Sequence, residues 1–377
     1  MAKKILVAEI SGKRPGDVKK RPTEKWNFGN IDKVIISNNS GGYITDWDIV
    51  NVPQNYVDYY KNKYKTSDIA YYAPMNRSYA IKYAKEHGYD YLVQLDDNIV
   101  AFDIRYKIEN KTYGTSSKQK NYRKIPLAMI GYMAKVLEHT NAGVVGCMPR
   151  SASVPSDDWL KERYVYSFFI LDLSRVPEAF QGDFEDDIEF RLKLRQNKTP
   201  MIMVCPFGYS KTSQGPDNSD LTGNRQAYVD AGLKRGETMS KLYGDVYKAG
   251  LSTRGSGNGR KEQYGARFRH ELKPFKVGVM VNDRDFLAQE MLNIFDEFAV
   301  QKLDKLKIDV SKFKIAFKIV GNYQETLSQA VSFCVDSGAE LERTLYSQEP
   351  SENIFLIKAE NDLSENVSKK LSGIEVI

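Results

Sequence analysis

Cysteine and histidine are scarce in this sequence, which has three of each among 377 residues. The cysteines, Cys147, Cys205 and Cys334, are far apart and odd in number. This pattern argues against a disulfide framework or a cysteine-based metal site, and it is typical of proteins in a reducing cytoplasm. Because the histidines are also scattered, we expect no zinc cluster.

Long apolar runs are missing as well. No stretch approaches the roughly 20 apolar residues that span a bilayer, so we expect no membrane partner. Charge is nearly balanced, because the net charge is only +6. A mild positive charge permits a nucleic-acid partner but does not by itself indicate one.

The chain is long for a single hydrophobic core, so we expect two units. In residues 1–251, apolar runs typical of buried strands alternate with helical patterns, for example the strands at 3–10, 33–38 and 91–95 and the helix at 76–88. This alternation predicts an α/β domain in which helices flank a mostly parallel sheet.

The second unit is smaller. Residues 252–273 are rich in glycine and basic side chains, and they predict a linker or mobile loop. Residues 274–377 alternate strand and helix patterns again, which predicts a small α+β domain of split-βαβ type.

An acidic tip follows one of the predicted strands. In "YLVQLDDN" the apolar run ends in Asp96, Asp97 and Asn98. Ligands of α/β sheets bind beyond the carboxyl ends of the strands, and hard divalent cations prefer carboxylate oxygens. The tip is therefore a candidate metal site, although a solvated turn would have the same composition.

Two helix starts carry further candidate groups. Asn76 and Arg77 open the helix before the acidic tip, where backbone amides and a guanidinium could bind a diphosphate. Asp186 and Asp187 open a later helix. Acids are favoured at a helix start whatever their function, and Asn76 and Arg77 could equally be a cap and a surface side chain.

The order of these motifs resembles that of the nucleotide-sugar-dependent glycosyltransferases of the GT-A fold. The motifs are "VAEISGKRP" (7–15), "VIISNNSGG" (34–42), "MNRSYAIKYA" (75–84), "YLVQLDDN" (91–98) and "FEDDIEF" (184–190). The resemblance implies a nucleotide-sugar donor and a catalytic base, Asp187 or Asp186. It also implies metal ligands, Asp97 and Asp96, for Mn²⁺ or Mg²⁺. The donor-binding residues that it implies are Ile10, Lys13, Asn39, Asn76, Arg77 and Asp96.

More narrowly, "YLVQLDDNIVAFD" and "GDFEDDIEFRLKL" resemble the glycosyltransferases associated with TET/JBP oxygenases. That group includes bacteriophage enzymes which add sugars to hydroxymethylated pyrimidines in DNA. The resemblance implies a UDP-linked hexose or pentose donor, hydroxymethylcytosine or a similar base as acceptor, and the host cytoplasm as location if the protein is of phage origin.

The sequence departs from the family pattern at two points. Asn98 stands where the common metal motif has its last acid, and no histidine follows near the end of the domain. Lys211 is present there instead, and we expect it to neutralise donor phosphate and reduce the dependence on metal.

Two other functions stay open from the sequence. A metal-dependent phosphodiesterase could use the same carboxylates, although it would need a tighter two-metal cluster. A nucleic-acid-binding protein without catalysis could use the basic stretch. If the protein binds DNA, the predicted contacts are Arg254, Arg260, Lys261, Arg267 and Arg269.

Overall fold

The structure is a computed structural model of the chain. The residues that it describes are 3–11, 25–38, 42–64, 72–108, 111–150, 159–180, 186–211, 234–244, 246–251, 268–272, 277–298, 315–320, 340–346 and 352–358.

A ten-stranded mixed sheet forms the centre of the molecule. Its strands are β1 (Ile5–Ile10), β2 (Asp32–Ser37), β3 (Asp48–Asn51), β4 (Tyr91–Asp96), β5 (Ile99–Ile108), β6 (Lys111–Ser116), β7 (Val144–Pro149), β8 (Leu160–Glu162), β9 (Phe168–Asp172) and β10 (Met201–Lys211). The spatial order is β3-β2-β1-β4-β9-β7-β10-β5-β6, with β8 paired to β10. Only β5, β8 and β9 run against the other strands of this sheet. The predicted α/β fold with a mostly parallel sheet is confirmed.

Helices cover both faces of this sheet. The helices of the described residues are α1 (Gln54–Tyr64), α2 (Tyr72–Glu86), α3 (Ile125–Glu138), α4 (Asp186–Gln196), α5 (Lys234–Leu242) and α6 (Arg284–Glu297). Of these, α5 packs against α4 and the strand Tyr247–Leu251 and not on this sheet. Successive strand residues face opposite sides, so Val7 packs in the core next to α3 and α6, whereas Leu6 and Ala8 pack in the core next to α1 and α2. Burial on both faces explains why these strands are apolar throughout.

Helix α6 packs on the α/β domain, although the sequence placed it in the second unit. Its Leu287 belongs to the core beneath α3, and the hydroxyl of Tyr132 donates a hydrogen bond of 3.1 Å to the carbonyl of Leu287. The backbone amides of Val277 and Gly278 donate to the carboxylate of Glu162, at 2.5 and 3.1 Å. Residues 277–280 form no strand, although the apolar run at 275–281 predicts one, and only an isolated antiparallel bridge between Val281 and Thr140 is described there.

Part of the predicted linker is a strand. Strand β11 (Tyr247–Leu251) pairs antiparallel with β12 (Phe268–Leu272), and β12 lies within the stretch predicted to be a loop. A separate three-stranded antiparallel sheet has the order β13 (Ile315–Val320), β15 (Glu352–Lys358) and β14 (Glu340–Tyr346). The domain boundaries and the split-βαβ arrangement stay predictions.

Candidate active site

The acidic tip lies where β4 turns into β5, at the carboxyl edge of the sheet. Ile10, the last residue of the neighbouring strand β1, is the register partner of Asp96. Because β1 and β4 are parallel, the residues that follow both strands meet at the same edge. Ser11 and Asp97 are such residues, and the Ser11 hydroxyl donates to Asp97 Oδ2 at 2.9 Å.

Asp96 is paired with two cations. Arg77 Nη2 donates to Asp96 Oδ1 at 2.5 Å, and the ammonium group of Lys211 donates to Asp96 Oδ2. Burial alone would raise the pKa of the Asp96 carboxyl, but the charges of Lys211 and Arg77 outweigh burial and hold this pKa well below its usual range. Asp96 is therefore a carboxylate throughout the physiological pH range.

The prediction that Asn76 and Arg77 open a helix is wrong, because α2 begins at Tyr72 and both residues lie in its second turn. Arg77 instead connects the acidic tip to the start of α4. Its Nε lies 3.5 Å from Asp186 Oδ2, while Nη2 is bound to Asp96. Burial would lower the pKa of the guanidinium, but the charges of Asp96 and Asp186 raise it. The third nitrogen, Nη1, is buried and has no hydrogen-bond partner among the described residues. It is a donor that a ligand oxygen could satisfy.

A second network of polar side chains holds the loop after β1. The Ser11 hydroxyl shares a hydrogen bond of 2.8 Å with Tyr43, and Asn76 Nδ2 donates to the carbonyl of Ser11 at 3.0 Å. Asn76 and Asn98 are both buried, and their amide oxygens have no partner among the described residues. Asn76 thus fixes the β1 loop through backbone contact.

The two acids at the start of α4 differ in their surroundings. Asp186 faces Arg77, whereas Asp187 Oδ1 accepts a hydrogen bond of 3.0 Å from the amide of Ile188. Asp187 also lies close enough to Tyr166 and Arg191 to affect the pKa values of both. Asp186 is thus an ion-pair partner of Arg77, and the choice between Asp187 and Asp186 as the base stays a prediction.

The described side chains fit a divalent cation poorly. Both oxygens of Asp96 are bound to cationic side chains, and one oxygen of Asp97 accepts from Ser11. Within the described ranges, no group of three histidine, cysteine or acidic side chains could hold a metal ion. A metal at Asp96 would have to displace Arg77 or Lys211, so the predicted Mn²⁺ or Mg²⁺ site stays a prediction.

The remaining residues predicted to bind the donor or DNA do not join this cluster among the described residues. Ile10 is only 7% exposed and packs in the core next to α1 and α2. Lys13 and Asn39 lie outside the described residues, as do Arg254, Arg260, Lys261 and Arg267. Arg269 lies on β12, where the structure describes its backbone alone.

Sequence reasoning missed two members of the site. Ser11 could have been found, because it directly follows a strand whose carboxyl end points toward the acidic tip. Tyr43 could not, because nothing in the local sequence indicates that its hydroxyl contacts Ser11.

Comparison with known families identifies this region. The family model described as TET-Associated Glycosyltransferase matches residues 39–216, which contain Arg77, the acidic tip, the acids of α4 and Lys211. Residues 39–216 are a glycosyltransferase of the TET-associated type. The resemblance found in the sequence motifs is thereby confirmed, and the transfer of a glycosyl group is the activity of this type of domain.

The other comparisons add little to the glycosyltransferase assignment. No curated protein matches the chain at a significant level. Among solved structures, the crystal structure of A197 from STIV matches with a TM-score of 0.28 and 14% sequence identity, over 55% of this chain and 84% of that one. A similarity this low carries no argument. No helix in the described part of the glycosyltransferase chain is long and apolar enough to cross a membrane.

Proposed function

We propose that this glycosyltransferase moves a hexose or pentose from a nucleotide sugar, in the first place a UDP-sugar, to the hydroxyl of a hydroxymethylated pyrimidine in DNA. Hydroxymethylcytosine in bacteriophage DNA is the first acceptor to test. The observation that carries the proposal is the charge cluster of Arg77, Lys211 and Asp96, which lies at the sheet edge beside the acids of α4.

The cluster suits a diphosphate leaving group. Lys211 is 27% exposed and can turn from Asp96 toward a phosphate oxygen, while Arg77 Nη1 offers a donor without a partner. Phosphates bind well to guanidinium and ammonium groups, and such cations stabilise the negative charge that develops on a departing nucleoside diphosphate. The site thus provides positive charge from side chains, and none of the steps proposed here uses a metal.

The proposed transfer inverts the configuration at the anomeric carbon of the sugar. The Asp187 carboxylate takes the proton of the acceptor hydroxyl, whose oxygen then forms a bond to the anomeric carbon of the sugar. The bond between that carbon and the phosphate oxygen breaks, and the nucleoside diphosphate leaves with the electron pair. Arg77 and Lys211 neutralise the charge on the departing diphosphate.

A thermal-shift panel tests the donor. UDP, UDP-glucose and other nucleotide sugars should raise the melting temperature, because a ligand that binds only the folded state stabilises it. Lys211→Met should reduce the shift caused by UDP, whereas the control Lys198→Met, which alters an exposed lysine after α4, should leave it unchanged. If no nucleotide stabilises the protein, a nucleic-acid-binding protein without catalysis becomes the better proposal.

Mass spectrometry of digested DNA tests the acceptor. The protein is incubated with DNA containing hydroxymethylcytosine and a panel of donors, and a nucleoside heavier by one sugar residue is expected. Parallel reactions with Mn²⁺, Mg²⁺ or EDTA test the predicted metal. Cleavage of the DNA without sugar addition would instead support a phosphodiesterase.

A further inference from the structure

Two tyrosines form an aromatic pair between β8 and β9. The rings of Tyr164 and Tyr166 are nearly parallel, with centroids 6.2 Å apart and an interplanar angle of 16°. Both are partly exposed, whereas Val165 between them is buried in the core. Both rings also pack against the core that contains Val165, so each is held in place and only part of it is accessible to a ligand.

A strained turn fixes this segment next to the acidic tip. Ser167 has φ of 68°, a left-handed conformation that is uncommon for serine, and the amide of Phe168 donates to the carbonyl of Tyr166 at 2.8 Å. The amide of Asp96 donates to the carbonyl of Ser167 at 3.0 Å, and the hydroxyl of Tyr209 donates to the carbonyl of Tyr166 at the same distance. Strain of this kind is typical of functional sites, where the surrounding contacts maintain it.

The Tyr164 ring of this pair also contacts α4. The guanidinium carbon of Arg191 lies 4.4 Å from the centroid of the Tyr164 ring. Arg191 follows Asp187 by four residues, so both side chains are on the same face of α4. The tyrosine pair therefore lies close both to Asp96 and to the helix face that carries the candidate base.

We propose that the Tyr166 ring is the wall of the acceptor subsite and stacks on an unpaired pyrimidine of the DNA substrate, while Tyr164 and Arg191 support that ring. This inference rests on the proposed function, because it assigns the base that receives the sugar. A base inside a duplex must leave the stack before an enzyme can reach it, and an aromatic ring in the enzyme replaces part of the lost stacking. The position beside Asp187 suits the acceptor, whose hydroxyl must approach the catalytic base.

The test separates ring stacking from simple side-chain volume. Tyr166→Phe keeps the aromatic ring, whereas Tyr166→Leu keeps apolar volume but cannot stack. We expect Tyr166→Leu to raise the KM for DNA containing hydroxymethylcytosine roughly tenfold, the scale of one lost base-stacking contact, and Tyr166→Phe to remain near wild type. The KM for the donor and the donor-induced thermal shift should be unchanged in both variants.

Two further variants complete the design. Tyr59→Leu removes a tyrosine that is 47% exposed on α1, and it should not change the KM for DNA. Tyr164→Leu removes the second ring and should also raise that KM, so it decides the question if Tyr166→Leu is unstable. If wild type, Tyr166→Leu and Tyr164→Leu have equal KM values for DNA, the proposed subsite is wrong, while the proposed glycosyltransferase function stands. If wild type transfers sugar to no DNA, the proposed function itself fails, and the subsite with it.

Discussion

Asp96→Asn should destabilise the folded protein strongly, because Asp96 is the shared partner of two cations. The side chains of Asp96, Arg77 and Lys211 are only 18%, 13% and 27% exposed, so water replaces the lost carboxylate poorly. Removing one partner of a buried ion pair typically costs about 3–5 kcal/mol. Arg77 keeps Asp186 at 3.5 Å and Lys211 can reach solvent, so we expect about 3 kcal/mol, the lower end of that range.

Urea unfolding followed by tryptophan fluorescence measures this effect. Trp26, Trp47 and Trp159 are all buried in the core next to α3, so their emission reports loss of tertiary structure. With a slope of about 3 kcal/mol per molar urea, a loss of about 3 kcal/mol would lower the midpoint by about 1 M. Glu86→Gln is the matched control, because it removes an exposed ion pair with Lys82 and should cost less than about 0.5 kcal/mol.

The pH dependence of the difference has a defined sign. The folded-state pKa of Asp96 is lowered relative to the ordinary value of about 3.9, so its contribution to stability is complete above that pH. It is lost as the pH falls below about 3.9 toward the folded-state pKa, because protonation removes the charge that pairs with Arg77 and Lys211. The difference between wild type and Asp96→Asn should therefore be largest near pH 7 and shrink in acid. An Asp96→Asn variant no less stable than Glu86→Gln at pH 7 would refute this account of the cluster.

Three further predictions concern the proposed catalysis. Asp97→Ala should abolish or greatly reduce transfer, because this carboxylate would hold the predicted Mn²⁺ or Mg²⁺, and the fold should stay intact, because Ser11 keeps its bond to Tyr43; near-wild-type turnover in saturating Mn²⁺ would exclude Asp97 from the site. Asp187→Asn should lose transfer but retain donor binding in calorimetry, and a collapse of donor affinity would make Asp186 the better base. Replacing four basic residues of the predicted linker by alanine should weaken DNA binding and flatten its salt dependence by roughly one unit of log-log slope per lost phosphate contact. If affinity and slope are unchanged, the segment is only a linker between the two units. Those residues are Arg260, Lys261, Arg267 and Arg269.

The sequence alone determined the α/β class and the positions of several buried strands. Runs such as Ile5–Ile10 and Tyr91–Asp96 are apolar because helices cover both faces, and this requirement is visible residue by residue. The end of the apolar run also predicted that Asp96 and Asp97 lie at the carboxyl edge of the sheet, because charged side chains are rarely fully buried without partners. The order of the motifs was enough to indicate the glycosyltransferase family.

Only the tertiary structure decided how the charges pair. Arg77 and Lys211 meet at Asp96 across 19 and 115 residues of sequence, and no local pattern encodes such a contact. The packing of α6 is also not encoded locally, because its apolar face could pack on any core. Its contact with α3 is decided by the shape and chemistry of the whole domain. Local composition determines which segments form and which face is apolar, whereas long-range packing decides which charged and apolar surfaces meet.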